Sequence, residues 1–135
     1  MTQPTPVWTL GIPAPAPWIN ANDTAHWRTK AALVRTWRDT TAQLARADRL
    51  PKLPAAHITA TLRFVDRRRR DPANWHPTVK AAIDGLVDYG LIPDDSARYL
   101  VGPDLRLGDP IGKRPHGPAG ELVLTIRPLD TRSTP

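Results

Sequence analysis

Residues 57–65 read His57-Ile58-Thr59-Ala60-Thr61-Leu62-Arg63-Phe64-Val65, and the architecture is legible outward from them. Ile58, Ala60, Leu62 and Phe64 alternate with Thr59, Thr61 and Arg63, the period-two pattern of a strand with one buried face. Downstream, Val79, Ile83 and Leu86 recur at helical spacing. Pro77 is suited to a first helical turn and Gly90 to a stop, so the spacing predicts a helix from Pro77 to about Tyr89. A further strand is expected near Arg98 to Leu107, which makes the segment a strand-helix-strand unit.

Upstream, Val7 to Ile12 predicts a short strand, followed by an extended connection through Pro13, Pro15 and Pro17 to Asn20 and Asn22. From about Thr24 to Asp48, Leu33, Trp37, Thr41 and Leu44 form an apolar helical stripe, with Arg28, Lys30, Arg35, Arg38 and Arg46 outside it. Trp37 reads as core and not as a base-stacking platform. Gly108 to Gly120 is a Gly/Pro-rich loop carrying Lys113, Arg114 and His116, and Glu121 to Arg127 closes the chain as a last strand. Residues 128–135 have nothing to bury and are expected to fray. The expectation is one α+β (α/β) domain over residues 1–135, a mixed sheet with two packed helices.

The 135 residues suffice for one hydrophobic core. Cysteine is absent, which excludes disulfides, thiolate zinc sites and a cysteine nucleophile. The sequence holds neither a basic segment leading into an apolar run at its start nor a stretch of 18 apolar residues. A soluble cytoplasmic protein without membrane contact is therefore expected. Lysine and arginine number 19 against 13 acidic residues, a net charge of +6 that points to a polyanionic partner, nucleic acid before membrane.

Chemistry concentrates after the first long strand, where the chain reads Asp66-Arg67-Arg68-Arg69-Arg70-Asp71-Pro72-Ala73-Asn74. Four adjacent arginines repel one another and add nothing to solubility that fewer would not, so a phosphate backbone explains them better than a solvated loop does. One helix later comes Asp94-Asp95 in the turn before the next strand. A strand-helix-strand unit returns the chain beside its first strand, so Asp71 and Asp95, or Asp94, are placed to share a hard cation such as Mg²⁺. Lys80 and Asp84 lie one helical turn apart, with the Lys80 ammonium able to stabilise charge building on phosphorus; the plain alternative is a surface ion pair.

The run Asp66 to Asp71, then Asn74, Lys80-Ala81-Ala82-Ile83-Asp84, Gly90 and Asp94-Asp95 resembles the RusA family of crossover-junction endodeoxyribonucleases. These are dimeric, Mg²⁺-dependent Holliday-junction resolvases of bacteria and their phages. The resemblance is specific over about Asp66 to Ser96. It implies Asp71, Lys80 and Asp95 as catalytic, and Asp71, Asp95 and Asp94 as metal ligands for Mg²⁺, with Mn²⁺ as the alternative ion. It also implies a homodimer matched to the two symmetric strands of a four-way junction. Arg67, Arg68, Arg69 and Arg70 would grip the DNA backbone, Asn74 would shape the loop, and Lys113 and Arg114 would add phosphate contacts.

Two departures stand out. Ala73 occupies the position of the family's second aspartate, and Trp75 to Val79 sets Lys80 further from Asn74 than the family spacing. His76, Asp84 or the second aspartate of the Asp94-Asp95 pair are the available replacements for the missing carboxylate; His76 either approaches the metal or merely precedes the helix. The competing function is a junction- or DNA-binding accessory that lost catalysis through Ala73. A small RNA-binding module would explain the arginines but not the paired aspartates.

Overall fold

The computed structural model describes residues 5–24 and 26–130. They form one small α+β domain: a four-stranded mixed sheet in the order β1-β4-β2-β3, with two helices packed on it. The strands are β1 (Trp8–Pro13), β2 (Ala56–Phe64), β3 (Leu100–Leu107) and β4 (Gly120–Pro128). The helices are α1 (Trp27–Ala47) and α2 (His76–Tyr89), the latter preceded by a short 3-10 turn at Pro72–Trp75.

β2 is the spine of the sheet. It pairs antiparallel with β4 along its whole length and parallel with β3, while β1 pairs antiparallel with β4. Its even-numbered residues are buried and its odd-numbered ones half-buried, as the alternation requires. Ile58, Ala60 and Leu62 join Leu10, Ile12, Leu122, Leu124 and Ile126 in one core with Val79, Ile83 and Leu86 of α2. A parallel pair needs a crossover, and α2 supplies it between β2 and β3.

α1 starts at Trp27, three residues later than its pattern suggests, because His26 caps it: the His26 Nδ1 accepts from the Arg28 N–H at 3.1 Å. Its buried set is Trp37, Thr41, Ala42 and Ala45, with Leu33 and Leu44 only partly covered. Trp37 is fully buried, as expected of a core residue, and its indole N–H donates to Pro17 O at 3.1 Å. The helices touch through Gly85, whose missing Cβ would lie 2.3 Å from Arg38 O; only glycine permits that approach.

α2 ends where Gly90 takes a left-handed φ of 100° and donates to the Leu86 and Val87 carbonyls. The segment after β1 is tied to the start of α2 by buried Thr78. The Ile19 N–H donates to Thr78 Oγ1 at 2.7 Å, and the Thr78 hydroxyl donates to Ile19 O at 3.0 Å. At the end of the chain, Leu129 N–H donates to Ala55 O at 2.9 Å, and the remainder of the segment expected to fray, 131–135, lies outside the described residues. Among the described residues no helix is long and apolar enough to cross a membrane.

Candidate active site

The site begins with helix phase. Val79 and Ile83 point into the core at 0% and 1% exposure, so Lys80, one residue on from Val79, must emerge at the helix flank with Asp84 one turn beyond it. Lys80 Nζ donates to Asp84 Oδ1 at 2.6 Å. Past Gly90, Leu91 and Ile92 are buried and anchor the turn that follows, which carries Asp95 back to the same ammonium: Lys80 Nζ donates to Asp95 Oδ2 at 2.6 Å. The Asp95 N–H in turn donates to Asp94 Oδ1 at 2.8 Å, so Asp94 shapes the turn.

The two carboxylates hold the Lys80 ammonium protonated above the usual lysine range, with Asp84 the larger influence. Lys80 in turn keeps the Asp95 carboxyl below the usual carboxylate range. Lys80 and Asp95 line a cleft of about 170 Å³ together with His76, Ile83, Leu100, Gly102 and Pro103. His76 therefore reaches the cleft as well as opening α2.

Asp71 is used locally. Its carboxylate accepts from the Ala73 N–H at 3.1 Å and caps the 3-10 turn, and its carbonyl accepts from Asn74 N–H at 3.1 Å. The Asn74 carbonyl accepts from Ala21 N–H at 2.7 Å, tying this loop to the segment before α1. Among the described residues no three His, Asp or Glu side chains are grouped to hold a metal ion. The carboxylates that meet on the Lys80 ammonium are Asp84 and Asp95, while Asp71 caps its own turn. These two already converge on one cation, and a hard divalent ion needs one or two carboxylates with water and substrate oxygens completing its shell.

The arginine run is divided. Arg70 turns inward: its guanidinium stacks over Phe64 at 4.2 Å from the ring centroid, pairs with Asp66 at 3.0 Å, and leaves its side chain 15% exposed. Bonds from the Arg68 backbone N–H and from Arg70 hold the Asp66 carboxyl below its usual range. Arg67, Arg68 and Arg69 are exposed, with Arg68 78% accessible and only a 3.9 Å contact to Asp66. Phe64 also packs on Trp18 and Trp75, so the run is braced by an aromatic cluster at the end of β2. Lys113 and Arg114 are exposed on the loop between β3 and β4, whose base is held by Arg63 through Asp109 O at 3.0 Å and Glu121 at 2.8 Å.

Asp84 was legible as a partner of Lys80 from its four-residue spacing, but not as a neighbour of Asp95, which only the turn after α2 brings in. The inward turn of Arg70 had one sequence signal, the acid Asp66 four residues before it. Neither a protein-family model nor a curated protein matches the chain.

Proposed function

We propose that this protein is a divalent-metal-dependent endonuclease that cuts branched DNA, four-way junctions included, as a homodimer in the cytoplasm of a bacterial or phage-infected cell. The observation that carries the reading is the Lys80 ammonium held 2.6 Å from both Asp84 and Asp95 at the edge of a cleft, in a chain whose neighbouring loop exposes Arg67, Arg68 and Arg69. The resemblance of the Asp66–Ser96 segment to RusA resolvases supports the same reaction.

Arg67 to Arg69 bind the phosphate backbone, with Lys113 and Arg114 adding charge on a second loop. Asp95 and Asp84 would hold a Mg²⁺ or Mn²⁺ ion, with the exposed Asp71 carboxylate as a further ligand. The ion, when bound, supplies an activated water and neutralises charge at the scissile phosphate. Lys80 keeps its proton and stabilises the negative charge that grows on the phosphoryl oxygens. Its two aspartates orient the ammonium before substrate arrives.

A second reading, an accessory that binds junctions without cutting them, is favoured by one observation: with Ala73 in the chain, no three His, Asp or Glu side chains among the described residues are grouped to hold a metal ion. Cleavage of a labelled four-way junction and of a linear duplex, in Mg²⁺ and in EDTA, separates the two. Metal-dependent paired nicks that disappear in Asp95→Asn support the nuclease. Tight junction binding by the wild type with no product under any metal sinks it and leaves the accessory.

A further inference from the structure

Of the five tryptophans, four serve the core: Trp37 is fully buried, and Trp8, Trp18 and Trp75 pack against it. Trp27 does not. It stands in the first turn of α1 with 67% of its surface exposed, a large apolar area left in water. The His26 ring lies 5.7 Å from it, tilted by 30°, and the Arg28 guanidinium sits 5.3 Å from its centroid.

Charge and shape around Trp27 suit one kind of ligand. Trp27, Ala31, Val34 and Arg38 fall on one helical stripe, and an open groove of about 450 Å³ lined by Ala31, Val34, Arg35, Arg38 and Asp39 extends along it. The first turn of α1 contains no acidic residue, and Arg28 and Arg35 are exposed. The groove is walled by Arg35, Arg38 and Asp39, and Arg28 and Arg35 stand exposed beside it, a cationic border that suits a phosphate backbone. An exposed ring flanked by cations is the arrangement on which unpaired bases stack while the backbone is neutralised alongside.

Trp27 is also tethered to the loop that follows the arginine run: Ala21 is bonded to Asn74, and the six peptide links from Ala21 to Trp27 span at most about 22 Å. We infer that Trp27, with Arg28 and Arg35, stacks an unpaired nucleobase of a single strand that runs along α1. This rests on the DNA reading above and narrows it: branched DNA with unpaired nucleotides, such as a flap or splayed arm, becomes a better substrate than a fully paired junction.

The test is binding by fluorescence anisotropy, in EDTA so that no cleavage intervenes, of a labelled oligothymidine of about a dozen nucleotides and of a blunt duplex. Wild type, Trp27→Ala and Trp27→Phe are compared, each checked by its circular dichroism melt. The expected result is that Trp27→Ala weakens the oligothymidine by roughly 5- to 100-fold, changes the duplex by less than about twofold, and is rescued by Trp27→Phe. Equal oligothymidine binding by wild type and Trp27→Ala overturns the inference while leaving the DNA reading intact. Wild type that binds neither DNA overturns both. If oligothymidine binding is unchanged but Trp27→Ala shifts the oligomeric state in size-exclusion chromatography, the ring belongs to a protein interface and the inference is again overturned.

Discussion

Lys80 and Asp95 are fifteen positions apart, yet Nζ and Oδ2 lie 2.6 Å from each other, because α2 delivers one and the turn beyond Gly90 returns the other. If that pair is the reacting centre, Lys80→Met should lower junction cleavage by about 10²–10³-fold while junction binding, measured by gel shift, changes little. A parallel loss of binding would assign Lys80 to DNA affinity instead.

The same pair sets a pH window. The Asp95 carboxyl is depressed, so its contribution is complete above the ordinary aspartate value of 3.8 and is lost as pH falls through the lower folded value. Lys80 is raised, so its contribution is complete below 10.5 and is lost as pH rises through the higher folded value. Between those limits the difference in stability between wild type and Asp95→Asn should stay flat. Since Lys80 is half exposed, that difference should be no more than about 1 kcal/mol. Urea midpoints at several pH values check it; a slope near neutrality would implicate another group.

Thr78 predicts a larger effect on folding. Its hydroxyl satisfies both backbone groups of Ile19, and Thr78 and Ile19 are 0% and 2% exposed. Thr78→Val keeps the shape but orphans a buried N–H and a buried C=O, costing about 2–5 kcal/mol. The urea midpoint should fall with little change in slope. A midpoint within experimental error of wild type would mean that water reaches the Ile19 groups.

Period and stop signals carried much of the fold. The alternation in β2, the Val79, Ile83 and Leu86 stripe and Gly90 at the end of α2 all follow from local sterics and burial, which a sequence displays directly. What the sequence hid was long-range. The register shift between His57 and Thr59 opposite β3 depends on strand pairing. At the site, helical spacing revealed Lys80 with Asp84, but convergence with Asp95 is set by how Leu91 and Ile92 bury themselves. The exposure of Trp27 was equally invisible, since a tryptophan near a helix start ordinarily turns inward.

Gly85→Ala sets two effects of opposite sign against each other. Alanine favours the helix by about 1 kcal/mol over glycine. Its Cβ, however, would stand 2.3 Å from Arg38 O and 3.0 Å from Thr41 Cβ, where one wall is α1 backbone that cannot rotate away. Separating the helices also strains the Arg38–Asp88 pair that joins them. The clash should win, with a net loss of about 1–3 kcal/mol in chemical denaturation. A stabilised variant would show that α1 shifts freely on α2.

The arginine run offers the sharpest division of labour, because neighbours in sequence should fail in different assays. Arg69 is exposed, so Arg69→Ala should leave the melting temperature near that of wild type while reducing the slope of log affinity against log salt by about 0.9 for each phosphate no longer neutralised. Arg70 stacks on Phe64 and pairs with Asp66. Arg70→Ala should cost about 1–2 kcal/mol by removing that stacking and packing and leave the salt slope unchanged, since its guanidinium neutralises no phosphate. Arg70→Lys should recover little of that stability, because an ammonium lacks the planar face that covers the ring. If instead Arg70→Ala flattens the salt dependence as Arg69→Ala does, the guanidinium must leave Phe64 when DNA binds, and the loop reorganises around the backbone it grips.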